Sequence, residues 1–78
     1  MIGYTVVLES ERGGGFVVSV PALPGCFTQG ENRAEALKNA REAIGAYIEE
    51  LRSRGEDIPI EVKTETEYIE LPELEYGT

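Results

Sequence analysis

The apolar residues of this chain follow one spacing in its middle and another on either side, and that contrast limits the folds open to it. Between Asn32 and Gly55 they recur at Leu37, Ala40, Ile44, Tyr47, Ile48 and Leu51, with Ala36 and Ala43 widening the stripe. Steps of three and four residues put these side chains on one face of an α-helix. Asn32 makes a good N-cap, because its side-chain oxygen can accept from a free N–H of the first turn. Glu35, three residues on, completes an Asn-led variant of the capping box. Gly55 suits the residue just past a helix end, and Pro59 bars the helix from resuming. Lys38, Glu42, Glu49 and Arg52 fall on the opposite, solvated face. Gly45 lies within that polar face, where glycine costs about 1 kcal/mol relative to alanine.

Elsewhere the period is two. Ile2, Tyr4, Val6 and Leu8 alternate with Gly3, Thr5, Val7 and Glu9, which predicts a half-buried strand. Phe16, Val18 and Val20 alternate with Val17 and Ser19, a second strand. Ser10 to Gly15 joins the two as a hairpin. A phosphate-binding glycine loop would open into a helix. Here a strand follows Gly13-Gly14-Gly15, so the glycines read as the hairpin loop. Pro24-Gly25 is a turn, Cys26-Phe27-Thr28 a short third strand, and Gln29-Gly30-Glu31 the turn into the helix. After Gly55, Glu56 to Pro59 forms a polar turn. Ile60, Val62 and Thr64 alternate with charged residues, and Tyr68-Ile69-Glu70-Leu71 is the better final strand, ended by Pro72. Glu73 to Thr78 reads as an acidic tail. The expected fold is α+β over one domain, residues 1–78. It has a three-stranded antiparallel meander, one crossover helix and a final strand, in the order β-β-β-α-β. A final strand beside the first would run parallel to it through a right-handed crossover.

Composition narrows the chemistry. A hydrophobic fraction of 41% is too high for a disordered chain, and the apolar runs are too short to span a membrane. The start, Met1-Ile2-Gly3-Tyr4, has no signal-peptide pattern, so the cytoplasm is the expected compartment. With no histidine and Cys26 as the one cysteine, Ser/His and Cys/His nucleophile pairs, an internal disulfide and the common zinc sites are excluded. Cys26 is either a small core residue in its apolar stretch or a thiol activated by a nearby cation. Asp57 is the one aspartate, and the glutamates are spread over the hairpin, the helix surface and the tail. No carboxylate cluster suited to hydrolysis is visible. The chain reads as a non-enzyme with no cofactor and no metal.

Fifteen acidic and seven basic residues give a net charge of −8. Nucleic acid would be repelled, whereas a basic protein would be attracted; solubility alone is the simpler use of such charge. Arg33, Lys38, Arg41, Arg52 and Arg54 are interleaved with Glu35, Glu42, Glu49 and Glu50, a mixed solvated face rather than a nucleic-acid patch. A chain of 78 residues has little core to spare, so further burial against a partner or a second copy is expected.

Tyr4 to Leu8, the glycine turn, Phe16-Val17-Val18-Ser19-Val20-Pro21 and Leu23-Pro24-Gly25-Cys26-Phe27-Thr28-Gln29-Gly30 together resemble the HicB-like antitoxin family. The likeness continues through Asn32-Arg33-Ala34-Glu35-Ala36-Leu37, Asn39 to Ala43, Gly55 to Pro59 and Tyr68 to Leu71. The resemblance implies an antitoxin that binds and covers a HicA-type toxin, a small basic ribonuclease that cleaves messenger RNA. It also implies a reduced ribonuclease H-like fold without catalytic carboxylates, and self-association as a dimer or higher oligomer. Many members add a C-terminal DNA-binding domain. This chain reads as a short form without it, and no direct nucleic-acid binding is expected. Ala22 departs from the aspartate common at that place in the family. The acidic residues expected to face a partner are Glu9 and Glu11 of the hairpin and Glu70, Glu73 and Glu75 of the tail. The alternative is an orphan homo-oligomeric module of the same fold with a regulatory or other partner.

Overall fold

The computed structural model describes residues 2–76. Three antiparallel strands, β1 (Val7–Ser10), β2 (Phe16–Ser19) and β3 (Phe27–Gly30), form one sheet in the order β1-β2-β3. Val7 faces Ser19, which faces Phe27 on the other side; Leu8, Val18 and Thr28 form the next row. The even-numbered residues of β1 and β2 turn toward the long helix α1 (Arg33–Ser53). There Val18, fully buried, meets Ala36 and Ala40, with Val6, Leu8 and Phe16 at the margin. A second cluster holds Val20, Leu23 and Cys26 against Tyr4, Ala43, Ile44 and Tyr47. The Pro21–Gly25 turn is therefore part of the core, and it buries Ala22 at 6% exposure. Backbone bonds close it, from Leu23 N to the Val20 carbonyl (2.9 Å) and from Cys26 N to the Leu23 carbonyl (3.0 Å). The Tyr47 hydroxyl donates to the Pro24 carbonyl at 2.7 Å and pins the turn to α1.

The helix ends follow the local chemistry. The Asn32 side chain accepts from Glu35 N at 2.8 Å. Glu35 reaches back to the amide of Glu31 (2.9 Å), one residue before the cap. At the other end Glu56 N bonds to the Leu51 carbonyl and Gly55 N to that of Arg52. This Schellman pair needs a left-handed residue, and Gly55 has φ +68°. Gly30, the last residue of β3, has a different role. A Cβ there would lie 2.4 Å from Ala36 N and 2.6 Å from Ala36 Cα, so the first turn of α1 rests directly on its backbone.

Three expectations are corrected. The third strand was expected at Cys26-Phe27-Thr28, but β3 runs on through Gln29 and Gly30, which pair with Val17 and Phe16. The first strand was expected from Ile2, but ladder pairing begins at Val7. Its neighbour β2 ends at Ser19 as the chain turns at Pro21, leaving residues 2–6 without a strand opposite. The final strand at Tyr68–Leu71 does not form. A strand needs a ladder beside it, and this segment has none, with Tyr68 86% and Ile69 79% exposed. Ile60 to Thr64 likewise forms no strand, and a short helix α2 (Glu73–Tyr76) follows Pro72.

Cys26 is 5% exposed, and burial pushes its thiol above the usual range. It is a core residue. Native protein should resist thiol reagents, and Cys26→Ser should lower stability by about 1–3 kcal/mol by placing a hydroxyl among Val20 and Leu23. Denaturant unfolding of the variant and timed labelling of the native chain measure the two effects. Rapid labelling would count against a buried thiol.

Candidate partner-binding surface

The hairpin carries the first acidic group. Glu11 N donates to the Gly15 carbonyl and Gly14 N to the Glu11 carbonyl, both at 3.0 Å, closing the turn. Glu9 pairs across the sheet with Val17 and shares the face turned away from α1 with Val7 and Phe27. Phe27 is 66% exposed there. Between the hairpin turn and the start of α1 lies a shallow cleft lined by Glu11, Glu31 and Glu35 together with Gly15 and Asn39. Three carboxylates make it unsuited to phosphate, in keeping with the hairpin reading of the glycines.

The cations at the C-terminal end of α1 are paired with acids, as their interleaving implied. Arg52 sits 3.5 Å from Glu49, and Arg54 3.4 Å from Glu50 and 3.2 Å from Glu56. All of these pairs are exposed, so they add little stability and leave no concentrated basic patch along this end of the helix. Among the described residues no three His, Cys, Asp or Glu side chains converge to hold a metal ion. No helix among them is long and apolar enough to cross a membrane.

The second acidic group lies on the segment after α1. Its beginning is tied to the first residues of the chain. The Tyr4 hydroxyl donates to the Pro59 carbonyl, Thr5 N donates to Glu61 Oε1 at 3.0 Å, and the Thr5 hydroxyl donates to Glu61 Oε2. These two donors hold the Glu61 carboxyl below the usual carboxylate range. Beyond Glu61 the segment leaves the body as an extended arm. The radius of gyration is 16.0 Å, against about 11–12 Å for a compact chain of this length. Glu70 stands exposed on the arm and Glu73 on α2, while the Glu75 side chain lies outside the described residues. Glu9 and Glu11 thus sit on the hairpin and Glu70 and Glu73 on the arm, two groups on separate elements. What the expectation of a final strand missed is an apolar set on the same arm: Ile60, Val62, Tyr68, Ile69, Leu71 and Leu74 are all exposed. The signal was present in the sequence as β-branched and aromatic residues alternating with glutamate.

A sequence model of the HicB-like antitoxins of bacterial toxin–antitoxin systems matches residues 4–77. The chain belongs to the HicB-like antitoxin family. Its relatives include a UPF0150 protein of Thermoplasma acidophilum, 57% identical over 56 residues, covering 72% of this chain and 81% of the relative. A UPF0150 protein of Synechocystis is 45% identical over 58 residues, 74% of this chain and 73% of the relative. The antitoxin HicB 1 of Photorhabdus laumondii is 36% identical over 69 residues, 88% of this chain but 44% of that antitoxin. HicB-like antitoxins are binding proteins rather than enzymes and partner with toxins. Family membership thus supports an antitoxin role for this chain.

Proposed function

We propose that this HicB-like chain neutralises a small basic HicA-type ribonuclease by covering its active surface, acting in the cytoplasm and as a self-associating antitoxin. The observation that carries the reading is the combination of HicB-like membership with a net charge of −8 displayed on exposed hairpin and arm glutamates. A basic enzyme that handles RNA must itself present cations, and an acidic protein competes for that surface without needing any chemistry of its own. Occlusion then requires contact area rather than a reactive group. Glu9 and Glu11 on the hairpin and Glu70, Glu73 and Glu75 toward the C-terminus are the acidic residues assigned to that contact.

The direct test mixes the purified chain with the HicA-type toxin at increasing ratios and follows cleavage of a labelled RNA. Cleavage should fall to the uncatalysed background at saturation, with no change in the RNA itself when the chain is added alone. Persistent cleavage at saturating chain would reject the antitoxin role.

A further inference from the structure

We propose that residues 60–74 are a docking arm whose segment 60–71 takes up strand geometry on a basic protein partner. The partner's class rests on the antitoxin reading; the arm's part in the contact is inferred from the structure. Six large apolar side chains between Ile60 and Leu74 are at least half exposed, Leu74 completely. Soluble proteins seldom leave so much apolar surface together without using it. Nor is the arm's backbone engaged. Among the described residues, Ile60 to Leu71 makes no backbone–backbone hydrogen bond, so its N–H and C=O groups are open to a strand beside it. Its composition suits an extended form: Ile60, Val62 and Thr64 alternate with charged residues, and Tyr68, Ile69 and Leu71 follow around Glu70.

Charge selects the occupant. From Ile60 to Tyr76 the chain has six glutamates against a single cation, Lys63. A second copy would bring that charge against another chain of net charge −8, whose open β1 edge carries Glu9 beside the Glu11 turn. A basic partner turns the same charges into attraction while an apolar groove or strand edge on it takes up Tyr68, Ile69 and Leu71. The tether from Tyr4 and Thr5 to Pro59 and Glu61 fixes where the arm departs, so the search for the partner begins from a defined point on the body.

The experiment uses the full chain, alone and with the catalytically inactivated HicA-type toxin, and follows amide hydrogen exchange. Amides of residues 60–71 should exchange freely in the isolated chain and at least about tenfold more slowly in the complex, as coupled ordering of a segment requires. A triple variant, Tyr68→Ser with Ile69→Ser and Leu71→Ser, should weaken toxin binding by about tenfold or more while leaving the melting temperature of the free chain unchanged, because these side chains are not packed on the body. Normal toxin affinity in the variant together with unprotected arm amides would overturn the docking arm and leave the antitoxin reading intact. Arm protection that grows with concentration in the free chain would assign the arm to a second copy and overturn the proposal. Failure of the wild-type chain to bind the toxin at all would reject the antitoxin reading and the partner class with it.

Discussion

Gly30→Ala should cost about 3 kcal/mol, the upper end of what an added methyl does in a site that has no room for it. The methyl would run into the backbone of the first turn of α1, at 2.4 Å from Ala36 N, 2.6 Å from Ala36 Cα and 2.9 Å from the Glu35 carbonyl carbon. Backbone cannot swing aside as a side chain can. Relief requires lifting the first turn of α1 from β3, which would loosen Ala36 and Ala40 over Val18 and break the Asn39 bond to the Gln29 carbonyl. At roughly 0.05–0.15 kcal/mol per residue, a chain of this length has only about 4–12 kcal/mol in total, so the loss is a large part of it. Thermal unfolding should report a fall in Tm of more than about 10 °C. The same substitution at Gly45 should act in the opposite sense. A Cβ there meets nothing within 4 Å, the residue is exposed in mid-helix, and alanine should stabilise by about 1 kcal/mol. A Gly30→Ala variant that melts with the wild type would mean that helix and strand do not approach as closely as described.

On the proposed function, association with a basic HicA-type toxin should slow steeply with salt. Steering by complementary charge raises on-rates by about 10 to 1,000-fold, and raising ionic strength from 0.1 M to 1 M shortens its reach from about 10 Å to about 3 Å. The on-rate should therefore drop about tenfold or more across that range, while dissociation, governed by apolar contacts, changes little. Charge reversal separates the two acidic groups. Glu9→Lys with Glu11→Lys tests the hairpin, and Glu70→Lys with Glu73→Lys and Glu75→Lys tests the C-terminal segment. Each set should slow association and flatten the salt dependence in proportion to its share of the field. Stopped-flow mixing across a salt series makes the measurement. An on-rate indifferent to both salt and reversal would rule out steering.

Local and non-local interactions differ in how much of this could be read from the sequence. A helix cap is made within a few residues, so Asn32, Glu35 and Gly55 announced both ends of α1. The hairpin needed only two alternating runs and the glycines between them. Exposed glutamates were legible as well, since acidic side chains seldom bury, and so was their division between the hairpin (Glu9 and Glu11) and the C-terminal segment (Glu70 and Glu73).

Strand pairing is the opposite case. Tyr68-Ile69-Glu70-Leu71 has strand composition, yet a strand exists only where its backbone lies against a neighbour's, and among the described residues this segment lies against none. Alternation alone could not distinguish a strand in its own sheet from an arm that leaves the body. The same limit applies to Gly30. In sequence it is a turn glycine before a helix, and only the crossing of α1 over the end of β3 makes it a contact with no room for a methyl. The alternatives open for Cys26 were settled by the turn of Pro21–Gly25 folding under the helix, which surrounds the thiol with Val20 and Leu23. The sequence by itself determined the elements whose hydrogen bonds close locally, the acidic surface and the absence of nucleophile pairs. Tertiary structure decided which residues those elements press together and which strand-like segment is left without a partner, because both depend on contacts between residues far apart in the chain.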